Sequence, residues 1–332
     1  MYNDKVKRKF LESLPDNDGR RKREVFFESI AEFEAEKHKD ISEFTVEEFW
    51  ELISVRGGRT TRTAASRASD IRMYVRWVIQ NEPSIKVNHD LLNKRDRTEQ
   101  GLINKESFKG LHLKNPQHLN EVLDKISVAM GEPLDYMGAN RTRRVYWWLA
   151  YAGMESRDVC DVLAEDVDLT EMVVRHKGRV YPIYELAKSD FEAAVNMRMI
   201  HTLRAGKYDI TTPRAAGSQL LRTISEIELP TLQAGTARVM TRALKKFPEI
   251  PRLKWQSVQM SGLFFEAYRK ELETGIEPNF RSYAASTIAY KAQIDIDENA
   301  SYTTNRSEYV RIASTASTLL HDYKTWKSVF WE

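Results

Sequence analysis

Apolar residues recur at helical spacing along most of the chain, and this pattern predicts a mainly α-helical protein. Before residue 88 it predicts three helices, over residues 22–37, 45–55 and 64–80. The third helix carries a clear apolar stripe, formed by Ile71, Tyr74, Val75, Val78 and Ile79. Residues 1–20 are highly charged and are interrupted by proline and glycine, so we expect frayed structure there.

Local sequence signals place the ends of several predicted elements. Thr45 stands three residues before Glu48, which is the spacing of a capping box at a helix start. Asn115 and Pro116 begin another predicted helix, since proline is favoured at the first helical position. The polar stretch that precedes this helix, residues 88–106, has weak apolar periodicity and predicts a linker between two domains.

The pattern changes after residue 148. An apolar helical run breaks at Gly153, and a short helix with Val159 and Val162 on its apolar side is expected to follow. Residues 172–184 then alternate between apolar and polar positions around a Lys-Gly pair, which predicts a β-hairpin.

The remaining chain again favours helices. Residues 186–255 have a mostly helical pattern, carry basic clusters, and give no indication of their function. Residues 257–275 predict a long amphipathic helix. The fold class expected from the whole pattern is mainly α with a small β-sheet.

Composition excludes several classes of protein. With 332 residues, 30% of them charged, the chain is long enough for one to three domains. It contains no apolar run of the ~18 residues that a membrane span needs, and its first residues lack the apolar core of a secretory signal. The single cysteine, Cys160, predicts a small core residue, and a cytoplasmic location follows. No phosphate loop, HExxH motif or cysteine cluster is present, so we predict no cofactor, no metal and no small-molecule substrate.

Charge is distributed unevenly along the sequence. The formal net charge is only +3, but residues 56–76 contain six arginines and a single acid, Asp70. Arginines and threonines at the start of a helix suit contacts with DNA phosphates and with base edges in the major groove. The alternative interpretation of this stretch is a solvated basic face of a helix.

Residues 152–168, AGMESRDVCDVLAEDVD, resemble the first signature box of the tyrosine recombinases, the phage integrase family. Gly153 falls on the glycine of that box, Asp158 on its glutamate, and residues 165–168 on its acidic turn. The position of the catalytic arginine holds Glu155, and Arg157 follows two residues later. Residues 64–80 resemble the helix of the core-binding domain that lies against DNA in this family.

Two further family boxes can be placed. Residues 278–286, PNFRSYAAS, resemble the second box, with Arg281 on the second catalytic arginine and Pro278 on the histidine. Proline has no titratable nitrogen and cannot transfer a proton. In the last box, counting from Asn305 places Ser314 at the nucleophilic tyrosine, whereas counting from Arg306 gives Thr315.

The resemblance implies a two-domain plan. A helical core-binding (SAM-like) DNA-binding domain would cover residues 1–87, a linker residues 88–106, and a tyrosine-recombinase-like domain residues 107–332. The family's hairpin lysine matches Lys177. Three departures from the catalytic set, at Glu155, Pro278 and Ser314, predict a protein that binds a double-stranded DNA operator without cleaving it. Some family-like proteins of this kind are transcriptional regulators, and a phage or prophage repressor is the expected role. The residues predicted to contact DNA are Arg59, Thr60, Thr61, Arg62, Arg67, Arg72, Arg76, Lys177, Arg179, Arg281 and Arg306.

Two other interpretations remain open. The first is an active integrase that uses a displaced tyrosine, Tyr309 or Tyr323, with Arg157 replacing the usual arginine. The second is a protein-interaction scaffold that no longer binds DNA. Self-association through the C-terminal helix is compatible with each of them.

Overall fold

The computed structural model of the chain describes residues 2–56, 61–93, 108–132, 139–204, 208–214, 216–222, 228–292, 296–299 and 301–331. Within these residues the protein is mainly helical with small antiparallel sheets, so the predicted fold class is confirmed. None of the described helices is long and apolar enough to cross a membrane. The chain divides into two compact units, one formed by Met1–Phe108 with Asn279–Glu332 and the other by Lys109–Pro278. Most of the predicted linker lies outside the described residues, and the predicted domain boundaries stay a prediction.

The first unit begins with helices that pack through aromatic and aliphatic side chains. They are α1 (Asp4–Glu12), α2 (Asp18–Ser29), α3 (Ala31–Lys37), α4 (Val46–Arg56) and α5 (Thr61–Asn81). The capping box at the start of α4 is confirmed, because Thr45 N donates to Glu48 Oε2 at 2.8 Å and Glu48 N to Thr45 Oγ1 at 3.2 Å. The helix predicted over residues 22–37 is divided in two at Ile30.

The expectation that residues 1–20 are frayed was wrong, because α1 is anchored by a buried ionic group. Lys7 Nζ lies 2.5 Å from Glu34 Oε1 and 2.9 Å from Asp40 Oδ2, and all three side chains are fully buried. The hydroxyl of Tyr74 on α5 also donates to Asp40 Oδ2, at 3.2 Å. A buried charge is tolerated only when it is paired and hydrogen-bonded. This group therefore ties α1 to the rest of the unit.

The end of the chain completes the first unit. Helices α11 (Arg281–Ala292) and α12 (Arg306–Phe330) pack through a small apolar cluster that includes Ala284, Ile288 and Ile312. Helix α12 also contacts α5.

The second unit is built around one buried helix. Its helices are α6 (Pro116–Ala129), α7 (Ala139–Tyr151), α8 (Lys188–Asn196), α9 (Leu229–Lys246) and α10 (Trp255–Thr274). Residues 145–151 of α7 are all buried. The chain passes very close to another helix here, since a Cβ atom on Gly262 of α10 would lie 1.8 Å from the carbonyl oxygen of Tyr151. Only glycine permits this approach.

Strands β1 (Val167–Asp168), β2 (Val173–His176) and β3 (Arg179–Pro182) form an antiparallel sheet in that order. The predicted hairpin is confirmed: β2 pairs with β3, and the two turn residues Lys177 and Gly178 both have positive φ, 48° and 74°. Positive φ at both central residues is the requirement of the tightest hairpin turn.

Two predictions for this unit were wrong. The segment after Gly153 forms consecutive turns instead of a short helix, although Val159 and Val162 are fully buried as expected. Residues 186–255 also contain a second antiparallel pair, β4 (Met199–Arg204) with β5 (Tyr208–Pro213). Six consecutive residues of each strand are paired in this hairpin.

Candidate nucleic-acid interface

Helix α5 carries the predicted basic surface of the first unit. Arg59 and Thr60 lie outside the described residues. Thr61 and Arg62 form the first turn of α5. These two predicted contacts therefore belong to a helix N-terminus, where the helix dipole favours anions.

Arg72 is buried away from this surface, which does not support the predicted contact with DNA. Its Nε donates to the carbonyl oxygen of Leu91 at 2.9 Å. Its guanidinium lies over the rings of Phe49 and Trp50, 5.2 Å and 5.7 Å from their centroids. Only 6% of the residue is exposed. A guanidinium stacked on two aromatic rings and bonded to a carbonyl has a structural role.

The other two predicted arginines of α5 differ from each other. Arg67 is half-buried, lies 4.6 Å from the centroid of Phe26, and donates to the carbonyl oxygen of Lys22 at 3.1 Å. Its Nη1 forms an ion pair with Asp70 Oδ2 at 3.6 Å, and Arg23 Nε donates a hydrogen bond to Asp70 Oδ1 at 2.8 Å. Arg76, one turn beyond Arg72, is exposed. Of the α5 arginines whose side chains are described, Arg76 best fits a contact with phosphate.

Lys177 lies at the tip of the β2–β3 hairpin, where the resemblance predicts the lysine. Its Nζ lies 2.8 Å from Asp158 Oδ1 and 2.8 Å from Asp161 Oδ2. Hydrogen bonds to these carboxylates raise the pKa of the Lys177 ammonium well above its usual range. The charge is therefore balanced by two acids from the first signature box. Arg179 begins β3 and is exposed.

The first signature box places Glu155 and Arg157 on the turns that follow α7. Glu155 is half-buried, and Arg157 is exposed. Its exposure leaves Arg157 accessible to a ligand, as the integrase alternative requires.

Arg281 opens α11, as the second box predicts. Its backbone N–H is capped by Asn279 Oδ1 at 2.9 Å, and its Nε donates to the carbonyl oxygen of Glu298 at 3.1 Å. The guanidinium lies 5.0 Å from the ring centroid of Tyr309. Pro278 precedes the helix and is half-buried.

The candidate tyrosines have different environments. Tyr323 is 1% exposed and stacks near Trp326, with ring centroids 6.2 Å apart. Tyr302 is 53% exposed, and its ring lies 6.1 Å from that of Tyr309. The guanidinium of Arg306 lies 4.8 Å from the Tyr302 centroid.

Ser314, the position predicted for the nucleophile, is exposed on α12. Two arginines and two tyrosines, Arg281, Arg306, Tyr302 and Tyr309, thus form one partly exposed group at the start of this helix.

Helix α9 carries a row of basic residues for which no function was predicted. Arg238, Arg242 and Lys245 are exposed and spaced by four and three residues, so they share one face of the helix. Like charges at this spacing repel each other, which disfavours the arrangement unless a polyanion is bound. The spacing of these basic residues is visible in the sequence, but the sequence alone does not predict that this face of α9 is exposed to solvent.

Comparison with known proteins finds a related domain at the start of the first unit. Residues 1–80 match the family model described as the N-terminal core-binding domain of MrpR. The match covers helices α1 to α4 and nearly all of α5, and it supports the tyrosine-recombinase-like fold that the sequence predicts.

Among solved structures, the chain is similar to one described as a crystal structure of XerA recombinase. The identity is 10%, the match covers 96% of this chain and 93% of that chain, and the TM-score is 0.31. None of the curated proteins matches the chain.

Proposed function

We propose that this protein binds double-stranded DNA in a sequence-specific manner and acts in the cytoplasm as a phage or prophage transcriptional repressor. The observation that carries the proposal is the match of residues 1–80 to a core-binding domain. The exposed arginine on α5 and the basic row on α9 give each unit a surface that suits phosphate.

The proposed repressor does not cleave DNA. Strand cleavage in this family needs cationic donors around the phosphate, a proton-transfer group and a nucleophilic tyrosine. Glu155 would repel a phosphate instead of stabilising it. Lys177 is held by two carboxylates, and Tyr323 is buried. These features support a DNA-binding protein built on an inactive frame.

The test of DNA binding begins with genomic DNA capture, which identifies bound sites for gel-shift titration at several salt concentrations. Arg76→Ala should weaken binding and reduce the salt slope by about 1, as expected for one lost phosphate contact. Arg8→Ala is the matched control, because Arg8 is exposed on α1 and paired with Asp4. Binding that is absent, or that is insensitive to salt, would instead support the interaction scaffold.

One contact favours the alternative, an active recombinase. Tyr309 lies beside Arg281, the residue on the second catalytic arginine position. Incubation with a nicked cognate site, followed by a denaturing gel, distinguishes the two functions. The repressor gives no covalent protein–DNA band. A band that is lost in Tyr309→Phe and kept in Tyr302→Phe would establish the recombinase.

We also propose self-association through α12, by the side of the helix that is exposed to solvent. Trp326 and Tyr323 are buried within the same chain, whereas Val310 is 50% exposed. Light scattering over a range of concentrations, with Val310→Asp as the variant, tests whether α12 joins two copies. An unchanged mass in both proteins would remove self-association from the proposal.

A further inference from the structure

Three metal-binding side chains meet beside the hairpin of the second unit. A ring nitrogen of His176 and one carboxylate oxygen from each of Asp158 and Asp161 lie within 4.8 Å of one another. His176 ends β2, and the two aspartates belong to the turns that follow α7. One imidazole with two carboxylates is a set of donors that zinc and related divalent ions accept.

The two nitrogens of His176 have different surroundings. Nδ1 lies 3.0 Å from Asp166 Oδ2. Nε2 is buried and has no hydrogen-bond partner among the described residues, and the side chain is only 8% exposed. A carboxylate on Nδ1 fixes the tautomer that leaves the Nε2 lone pair available, which is the usual arrangement around a histidine that binds metal. A buried polar atom without a partner calls for a specific explanation, and coordination of an ion is one.

A cation already lies between the two aspartates. Lys177 Nζ is 2.8 Å from an oxygen of each. The lysine side chain is 54% exposed, so it can move into solvent without leaving a cavity. Asp161 is also exposed, at 58%, so the site opens directly to water, which would complete the coordination.

We propose that His176, Asp158 and Asp161 bind one divalent ion of the zinc class, and that the ammonium of Lys177 gives way to it. The bound ion would join the hairpin to the turns after α7, since His176 comes from one and the aspartates from the other.

The test uses the full chain and titrates it with Co²⁺, whose visible absorption reports nitrogen and oxygen ligation, followed by competition with Zn²⁺. One ion should bind per chain. Asp161→Asn should weaken binding by at least about tenfold, because loss of a ligand exceeds the effect of losing an outer partner. Lys177→Gln should tighten binding several-fold, because it removes the competing charge.

The matched control is Glu171→Gln, which makes the same charge change on an exposed acid of the same hairpin region. It should leave the affinity unchanged. Equal affinities in the wild-type protein, Asp161→Asn and Glu171→Gln would mean nonspecific binding and would overturn the proposal. Failure of both the wild-type protein and Lys177→Gln to bind Co²⁺ would overturn it as well.

Thermal unfolding provides an independent measurement. His176 is buried, so His176→Gln also removes core packing, whereas Asp161 is exposed and its substitution does not. Added Zn²⁺ should raise the Tm of the wild-type protein and of Glu171→Gln, because a ligand that binds only the folded state stabilises it. An equal rise in Asp161→Asn would contradict the assigned ligands.

Discussion

Gly262 marks the closest approach between α7 and α10. A Cβ atom there would lie 1.8 Å from the carbonyl oxygen of Tyr151 and 2.8 Å from its carbonyl carbon. Both obstacles are backbone atoms, so a side-chain movement cannot relieve the clash. The two helices would have to separate, and the core around residues 145–151 would loosen with them.

We therefore predict that Gly262→Ala lowers the free energy of unfolding by roughly 3 kcal/mol or more. Gly235→Ala is the control, since Gly235 lies within α9 with nothing inside 4 Å of the added carbon. That change should raise stability by about 0.5–1 kcal/mol, because alanine is the better helix former. Denaturant unfolding of both variants measures the difference, and equal stabilities would contradict the assigned packing.

His112 gives the second unit a dependence on pH. Burial lowers the pKa of His112 from 6.5 to about 4, and its Nδ1 lies 3.4 Å from Ser261 Oγ. The unfolded chain takes up a proton below pH 6.5, but the folded chain does not until about pH 4. Stability contributed by the neutral form is thus complete above pH 6.5 and falls as the pH decreases towards 4.

In His112→Phe the loss of stability between pH 6.5 and 4 should be smaller by up to about 1.4 kcal/mol per pH unit. Denaturant unfolding at several pH values gives the two slopes. His118, whose pKa burial also lowers, is present in both proteins, so the difference isolates His112. Parallel curves for the wild-type protein and His112→Phe would refute the argument.

At the scale of a residue, the burial of individual arginines on α5 could not be predicted from the sequence. Arg72 and Arg76 are one turn apart and both lie off the apolar stripe, so periodicity gives them the same environment. In the structure Arg72 is covered by Phe49, Trp50 and the carbonyl of Leu91, whereas Arg76 is in solvent. The difference comes from groups outside α5, and the apolar pattern of α5 alone cannot predict which of its residues they cover.

At the scale of elements, one arginine holds three helices together. Arg144 of α7 donates to Asp190 of α8 at 2.9 Å, and to Asp124 and Asn120 of α6 at 2.6 Å each. Trp148 donates to the same oxygen of Asp190 at 2.9 Å. Arg144 and Asp190 are buried, so removal of the arginine leaves a carboxylate without its main partner in the core.

Arg144→Ala should therefore cost about 3–5 kcal/mol of stability. Lys125→Ala breaks an ion pair with Glu249 in which both partners are largely exposed, and it should cost less than about 1 kcal/mol. Calorimetry or denaturant unfolding ranks the two. A similar cost for both would mean that burial does not set the value of these pairs.

Elements were predictable where local chemistry decides them. The hairpin at Lys177-Gly178, the proline start of α6 and the capping box of α4 each follow from neighbouring residues. Helix α1 was missed because its charged sequence hides Lys7, which is neutralised only by acids brought from α3 and from residue 40. The β4–β5 hairpin was missed because its apolar and polar residues do not alternate clearly enough to oppose a helical reading.

At the scale of the whole molecule, the proposal places DNA contacts in both units. Arg76 is the proposed phosphate contact tested in the first unit, and Arg242 is the one tested in the second unit. Arg76→Ala and Arg242→Ala should each reduce the salt slope by about 1, and the double variant by about 2, because independent phosphate contacts release separate counterions. Lys125→Ala should leave the slope unchanged. If only one of the two arginines affects it, the other unit does not contact DNA through this surface.

The first unit is discontinuous, since α11 and α12 join helices that were made some 200 residues earlier. At a synthesis rate of about 5–20 residues per second, the ribosome needs roughly 10–40 seconds to deliver the segment between them. During that interval α5 waits without α12, and the face that α12 will cover stays exposed to chaperones and to other nascent chains. The second unit has no such delay, because all of its helices come from one uninterrupted segment. Chains truncated after residue 278 and released from the ribosome should then resist proteolysis in the second unit, whereas their first unit should be cleaved.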